Sequence, residues 1–231
     1  MKLILNKVIF FMSFCLLTLQ TYAQYGLSWK KYQYPINPSS KISEHSSHST
    51  TPTNRSFFNV DWQVNGTICN DFVGNTSGWG AHFEAGYYLT DHWALGAFLS
   101  FHTNNEYFPR QSFMWENAAL STDQQHSLFQ LPFGISTRYR FFDGIFAPYA
   151  GLKMGAQYAE SESYLNETCI YNDQWGFYIS PEVGIEIHPL KVKRLGFHVA
   201  VYYSYATNDN SVMWYNANGL NNYGLRLGIA F

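Results

Sequence analysis

Eight charged residues recur at alternate positions of otherwise patterned segments: Asp61, Glu84, Glu182 and Glu186 against Arg138, Arg140, Lys153 and Arg226. Two chemistries are open to them. Carboxylates can work as general acid and base. Four acids and four bases can also neutralise one another in a buried network, because an unpaired buried charge is expensive. Spread over six segments, the set favours the network. Segment adjacency expects Asp61 between Glu84 and Arg226, and Lys153 beside Glu182.

Other candidates are thinner. His126-Ser127 is an adjacent base and nucleophile, but in an alternating segment the two side chains point to opposite faces, which defeats their hydrogen bond. His82, His102 and His198 are single residues on the same face as the charges, suited to being satisfied polar groups. His45 and His48 stand three apart and could touch a metal; without a third ligand, the alternative is an ordinary Ser-rich linker. No phosphate loop, zinc spacing or dinucleotide fingerprint occurs, so no cofactor or metal is implied. Catalysis is not expected.

The segments carrying these residues alternate with period 2 from Arg55 to Phe231. Phe58, Val60, Trp62 and Val64 form one face of the first, and Asn59, Asp61, Gln63 and Asn65 the other. Further segments centre on Trp79–Tyr87, Trp93–Phe101, Phe129–Phe141, Phe146–Ala156, Phe177–Ile187, Leu195–Tyr205 and Tyr223–Phe231. That makes eight strands. Short turns lie near Thr90-Asp91, Phe142-Asp143-Gly144 and Pro189 to Arg194; long loops lie at about 67–77, 103–125, 160–173 and 207–220. Short-long alternation predicts an all-β, eight-stranded antiparallel up-and-down transmembrane barrel with both termini on the short-turn, periplasmic side.

The choice of inner face follows from volume. One face is rich in Gly, Ala, Ser and charge; the other is bulky and aromatic. Eight strands leave an interior just wide enough for side chains, so the small and charged face goes inward and the bulky face meets lipid. A closed barrel also satisfies every backbone N–H and C=O, as hydrocarbon demands. Two aromatic girdles are expected: Phe57, Phe58, Trp93, Phe141, Phe146 and Phe197 at the turn side, and Trp79, Trp175, Tyr203, Tyr205 and Tyr223 at the loop side. Pro132, Pro148 and Pro181 fall inside strands, where a bulge or a local break is expected.

Composition agrees. The chain is 19% aromatic and 13% charged, too aromatic for disorder, while its mean hydropathy is slightly negative, unlike a helical membrane protein. A pI near 6.4 leaves no basic footprint for nucleic acid. Met1–Ala23 has the form of a signal peptide: Lys2 and Lys7, an apolar run from Val8 to Leu19, and Thr21-Tyr22-Ala23 before Gln24. Residues 24–54, with Pro35, Pro38, Pro52 and many Ser and Thr, are expected to be a flexible periplasmic linker. The barrel occupies 55–231.

Leader, eight alternating strands and the terminal Tyr223-Gly224-Leu225-Arg226-Leu227-Gly228-Ile229-Ala230-Phe231 together resemble the small outer-membrane β-barrel family, with the OmpA membrane domain and OmpX as familiar members. Leu131-Pro132-Phe133-Gly134 with Arg138-Tyr139-Arg140-Phe141, and Ala147-Pro148-Tyr149-Ala150-Gly151-Leu152, look like successive strands of porin-like members. Gln24 after Ala23 is similar to secreted proteins of Bacteroidota-type bacteria. The resemblance implies a Gram-negative outer membrane, contact with lipid and lipopolysaccharide, and a final strand whose aromatic Phe231 is read by the barrel-assembly machinery. A monomer is expected.

Charge is unevenly placed. Residues 24–54 carry three bases and one acid, and 55–231 nine bases and fifteen acids. The long loops hold Asp71, Glu106, Glu116, Asp123, Glu160, Glu162, Glu167, Asp173 and Asp209 against Arg110. Such a rim could bind divalent cations bridging lipopolysaccharide or an unknown cationic ligand, or serve solubility alone. Cys69 and Cys169, the cysteines outside the leader, lie in two long connections on opposite sides of the mouth; a disulfide in the oxidising envelope needs both loops to fold over the opening. The expected function is structural or surface-binding, with a plugged lumen; the alternatives are a narrow porin and, third, a lipid A-modifying enzyme.

Overall fold

A computed structural model describes residues 55–231 apart from 69, 116–117, 166–167, 190–194, 210, 213–214 and 216–217. The leader, the linker, His45 and His48 lie outside the described residues. Eight strands follow in chain order: β1 (Ser56–Ile68), β2 (Gly80–Tyr88), β3 (Trp93–Trp115), β4 (Ala118–Arg140), β5 (Phe146–Leu165), β6 (Thr168–Ile187), β7 (Gly196–Asp209) and β8 (Asn218–Ala230). Each pairs with the next antiparallel, and β8 returns to β1. The chain is the closed barrel that its alternation predicts.

The ladder climbs as it goes round. Phe58 pairs with Ala85, then Ala97, Ile135, Met154, Ile179, Tyr205 and Asn221, and Asn221 pairs with Ile68. One circuit therefore ends ten residues further along β1. A stagger of about ten over eight strands tilts them by roughly 40° and sets a narrow bore. Seam closure extends to the end of the chain: the Phe231 N–H donates to Phe58 O at 2.9 Å.

Alternation decides the faces as expected. Asn59, Asp61, Gln63 and Asn65 are buried inside, and Trp62, Trp93, Ile135, Phe146, Val201 and Ile229 are exposed outside. Phe57 corrects the girdle assignment. It faces inward, because its parity is that of Asn59 and Asp61, and its ring lies under the Arg138 guanidinium at 4.3 Å.

Two of the expected loops are strand. Segments 103–125 and 160–173 continue as paired hairpins as far as Trp115↔Ala118 and Leu165↔Thr168. Outside the bilayer both faces of a strand can be polar, so the ladder persists after the hydropathy alternation has faded. The β4–β5 ladder reaches Gln125↔Tyr164. Among the described residues β2 leaves β3 at Gly80↔His102, and β7 leaves β6 at Tyr178↔Ala206. A four-stranded sheet, β3 to β6, thus stands above the loop end on one side.

The prolines do not shift register. Pairing skips Ser100 and Phe101 opposite Pro132 and resumes unchanged, and skips Pro181 in the same way. The Ser180 hydroxyl donates to Tyr203 O at 2.8 Å, supplying a donor beside the N–H that Pro181 lacks. Pro148 pairs with Ile185 without interruption. Bulges fall instead between Phe108 and Gln111, around Pro109, and between Ala206 and Asp209.

Candidate functional site

The lumen is the site, built in layers. At the turn end Phe57 and Tyr88 pack at 5.6 Å, and Arg140 lies over Tyr88 at 4.1 Å. Arg140 reaches Asp143 at 3.5 Å and the Asp91 carbonyl at 3.1 Å. It is therefore drawn to the turns, outside the central ion pairs to which the sequence assigned it.

Above it sits the charge network. Arg138 bridges Glu84 (3.0 Å) and Glu186. Lys153 bridges Glu84 (2.9 Å) and Glu182 (2.6 Å). Arg226 pairs with Glu182 and, through Nε, with Gln63 Oε1 at 3.1 Å. All six are buried, so each charge meets its partner in a low dielectric and a fixed geometry. Lys153 stands beside Glu182, as segment adjacency expects.

Asp61 does not stand between Glu84 and Arg226. Its register partners are His82 and Gly228, and its carboxylate takes His198 Nδ1 at 2.7 Å. The climb of the ladder moves each neighbour along its strand, which a flat adjacency argument omits. Parity alone did not find the aromatic walls of the network. Arg138 lies over Tyr149 at 3.8 Å and Arg226 over Tyr202 at 4.0 Å, cation–π contacts between buried side chains. Their room comes from glycine: a Cβ on Gly184 would stand 2.6 Å from Tyr149 Oη, and one on Gly224 2.6 Å from Tyr202. The signal was available, since Tyr149 shares parity with Gly151 and Lys153.

A layer of amides and one imidazole follows. Gln63 Nε2 meets His102 Nδ1 at 3.1 Å, Asn65 donates to Asn104 Oδ1 at 2.9 Å, and Gln157 and Asn222 both donate to Gln130 Oε1 at 3.0 and 2.9 Å. The loop end is then closed by apolar side chains. Phe72 and Val73, from the β1–β2 connection, are buried with Leu128, Leu220 and Val212. His126 stacks on Phe72 at 4.3 Å and donates from Nδ1 to its carbonyl at 2.7 Å. Gly74 N–H donates to Glu106, Asn104 to Asn75 O, and Thr67 to Val73 O. His126 lies beyond the outer girdle, and burial holds its imidazole below the ordinary value, the Phe72 carbonyl and Glu106 opposing.

His126 is thus inward and occupied, with Ser127 on the other face. Cys169 is a free, exposed thiol near the tip of the β5–β6 hairpin. Cys69 lies outside the described residues. The expected bridge therefore involves a residue outside those described, while the hairpin that carries Cys169 continues outward as paired strand. Among the described residues no group of three or more His, Cys, Asp or Glu is arranged to hold a metal ion.

The family model described as outer membrane protein beta-barrel domain matches residues 46–231. The chain belongs to that family, and it is an outer-membrane β-barrel of the Gram-negative envelope type. No protein of curated function matches. Among solved structures it is similar to Neisserial surface protein A, at 14% identity and TM-score 0.50 over 76% of this chain and 95% of that one. It is also similar to Ail, the attachment invasion locus protein of Yersinia pestis (14%, TM-score 0.43, 77% and 98%). The outer membrane protease OmpT from Escherichia coli matches at 8% (TM-score 0.42, 78% and 97%). These likenesses concern the fold.

Proposed function

We propose that this barrel has a structural and surface-recognition role, without a steady pore and without catalysis. One observation carries the reading: side chains occupy the lumen at every level, from Phe57, Tyr88 and Arg140 through the ion pairs and amides to Phe72 and Val73. In this reading Met1–Ala23 is removed on export, residues 24–54 and both termini face the periplasm, and the loop end faces outward. The bulky face contacts lipid and lipopolysaccharide, and the assembly machinery reads the last strand and Phe231. The tall sheet offers exposed Tyr107, Met114, Tyr164 and Tyr171 beside Glu160, Glu162 and Asp173, a surface suited to an extracellular ligand with cationic groups. Purified, refolded monomer in a planar bilayer is expected to give no long-lived large conductance. A steady large conductance would replace this reading with the narrow porin.

A further inference from the structure

Three histidines of the charged and amide layers differ in what their ring nitrogens meet. His82 Nδ1 lies 2.5 Å from the Ser100 hydroxyl, and Nε2 3.4 Å from Glu84. A hydroxyl donates as well as accepts, so a neutral ring with its proton on Nε2 satisfies both contacts. His102 Nδ1 faces the Gln63 amide nitrogen, a donor, and a neutral ring again suffices.

His198 is different. Its Nδ1 lies 2.7 Å from Asp61 Oδ1 and its Nε2 2.6 Å from the Tyr149 hydroxyl. The carboxylate has no proton to give. Tyr149 has one, and donates it to Glu182 Oε1 at 2.6 Å; Lys153 and Arg226 hold that carboxylate ionised. The phenol oxygen therefore presents a lone pair to His198. Both ring nitrogens face acceptors, and a neutral imidazole carries a single N–H.

We propose that His198 carries a proton on each ring nitrogen in the folded barrel and is the fourth cation of the central charge network. The 2.7 Å contact with Asp61 is the length of a charge-assisted N–H···O bond. With Asp61 ionised, the charge count points the same way. With Arg140 engaged at the turns, Asp61, Glu84, Glu182 and Glu186 face Arg138, Lys153 and Arg226. One positive charge is missing, and His198 supplies it.

The groups around the ring are consistent. Asp61 faces it from β1 and Tyr149 from β5; Glu186, its register partner, and Glu182 come from β6. Arg226 on β8 is spent on Glu182 and Gln63, Arg138 on β4 on Glu84 and Glu186, and Lys153 on Glu84 and Glu182, while His82 on β2 bonds Ser100 and Glu84. Removing the proton leaves Asp61 facing an acceptor and makes Tyr149 choose between Glu182 and His198. His198 is thus a pH-dependent clasp joining β7 to β1 and β5. Loss of that proton as pH rises opens the clasp.

The test is nitrogen NMR on protein refolded in detergent micelles with ¹⁵N-labelled histidine. At pH 7 both His198 nitrogens are expected at protonated shifts, with His82 and His102 neutral. Assignment uses His198→Gln, or single His→Gln variants of the other seven histidines by elimination should the first variant fail to refold. A neutral His198 ring in either tautomer overturns the proposal. Urea unfolding between pH 6 and 9 gives a second readout. The difference in midpoint between wild type and the Asp61→Asn, His198→Gln double variant is expected to shrink as pH rises, the other titrating groups being common to both. Parallel slopes overturn it.

Discussion

Lys153 shows what a single residue does in a closed charge network. It stands between two carboxylates, Glu84 and Glu182, and all three are buried. Lys153→Met keeps the volume and leaves the two acids short of a cation. Removing one partner of a buried pair costs about 3–5 kcal/mol, and urea unfolding in detergent is expected to show a loss of that order. Gly184→Ala tests space in place of charge. Its methyl group meets the Tyr149 hydroxyl at 2.6 Å, and overpacking of this kind costs about 1–3 kcal/mol; a rise in intrinsic Tyr149 accessibility would report the displaced ring. At this scale the sequence was legible in sign and parity. Asp61, Glu84 and Arg226 were recognisably inward, but their partners depend on where the ladder brings each strand, and no local pattern records that.

At the scale of elements, the β1–β2 connection is a lid held by other strands. Its tip, Phe72 and Val73, has no periodicity to announce it, and a short apolar pair within a polar loop resembles many exposed ones. Its burial depends on Leu128, Leu220 and Val212, distant in sequence. The lid is expected to be sensitive to acid. The imidazole of His126 titrates below its ordinary value, chiefly through burial. The opened lid therefore binds more protons than the closed one, and closure weakens as pH falls through the ordinary histidine range near 6.5. Hydrogen-exchange protection factors at Phe72 to Gly74 are expected to drop between pH 7 and pH 5, and His126→Gln to remove that difference. The prolines also belong to this scale. Their strain was legible, whereas the repair by Ser180 and the bulge at Pro109 depend on cross-strand neighbours.

For the whole molecule, barrel and sheet are separable demands. Closure, girdles and strand count followed from period-2 patterning because lipid imposes a one-sided apolar face. The upper halves of β3 to β6 escaped it because water imposes none. Among the described residues, the lid and lumen contacts stop short of the hairpin tips beyond Ser121 and beyond the Ser163↔Ile170 pair. Shortening both tips to tight turns there is expected to leave heat-modifiable gel migration intact, the folded form still running apart from the boiled one. Loss of the folded band would make the sheet part of the folding unit.

That tall sheet also has a mechanical meaning. From Arg140↔Tyr149 to Gln125↔Tyr164 the β4–β5 ladder runs without a gap, passing from the turn end to the tall sheet as one hydrogen-bonded seam. A ligand that tugs on a hairpin tip along the strands loads this seam lengthwise, so many bonds must yield together. The interrupted β6–β7 joint beside Pro181 has no such reserve. Traction applied at the hairpin tips is thus led down the centre of the sheet into the wall of the barrel, between the joints interrupted at Pro132 and Pro181.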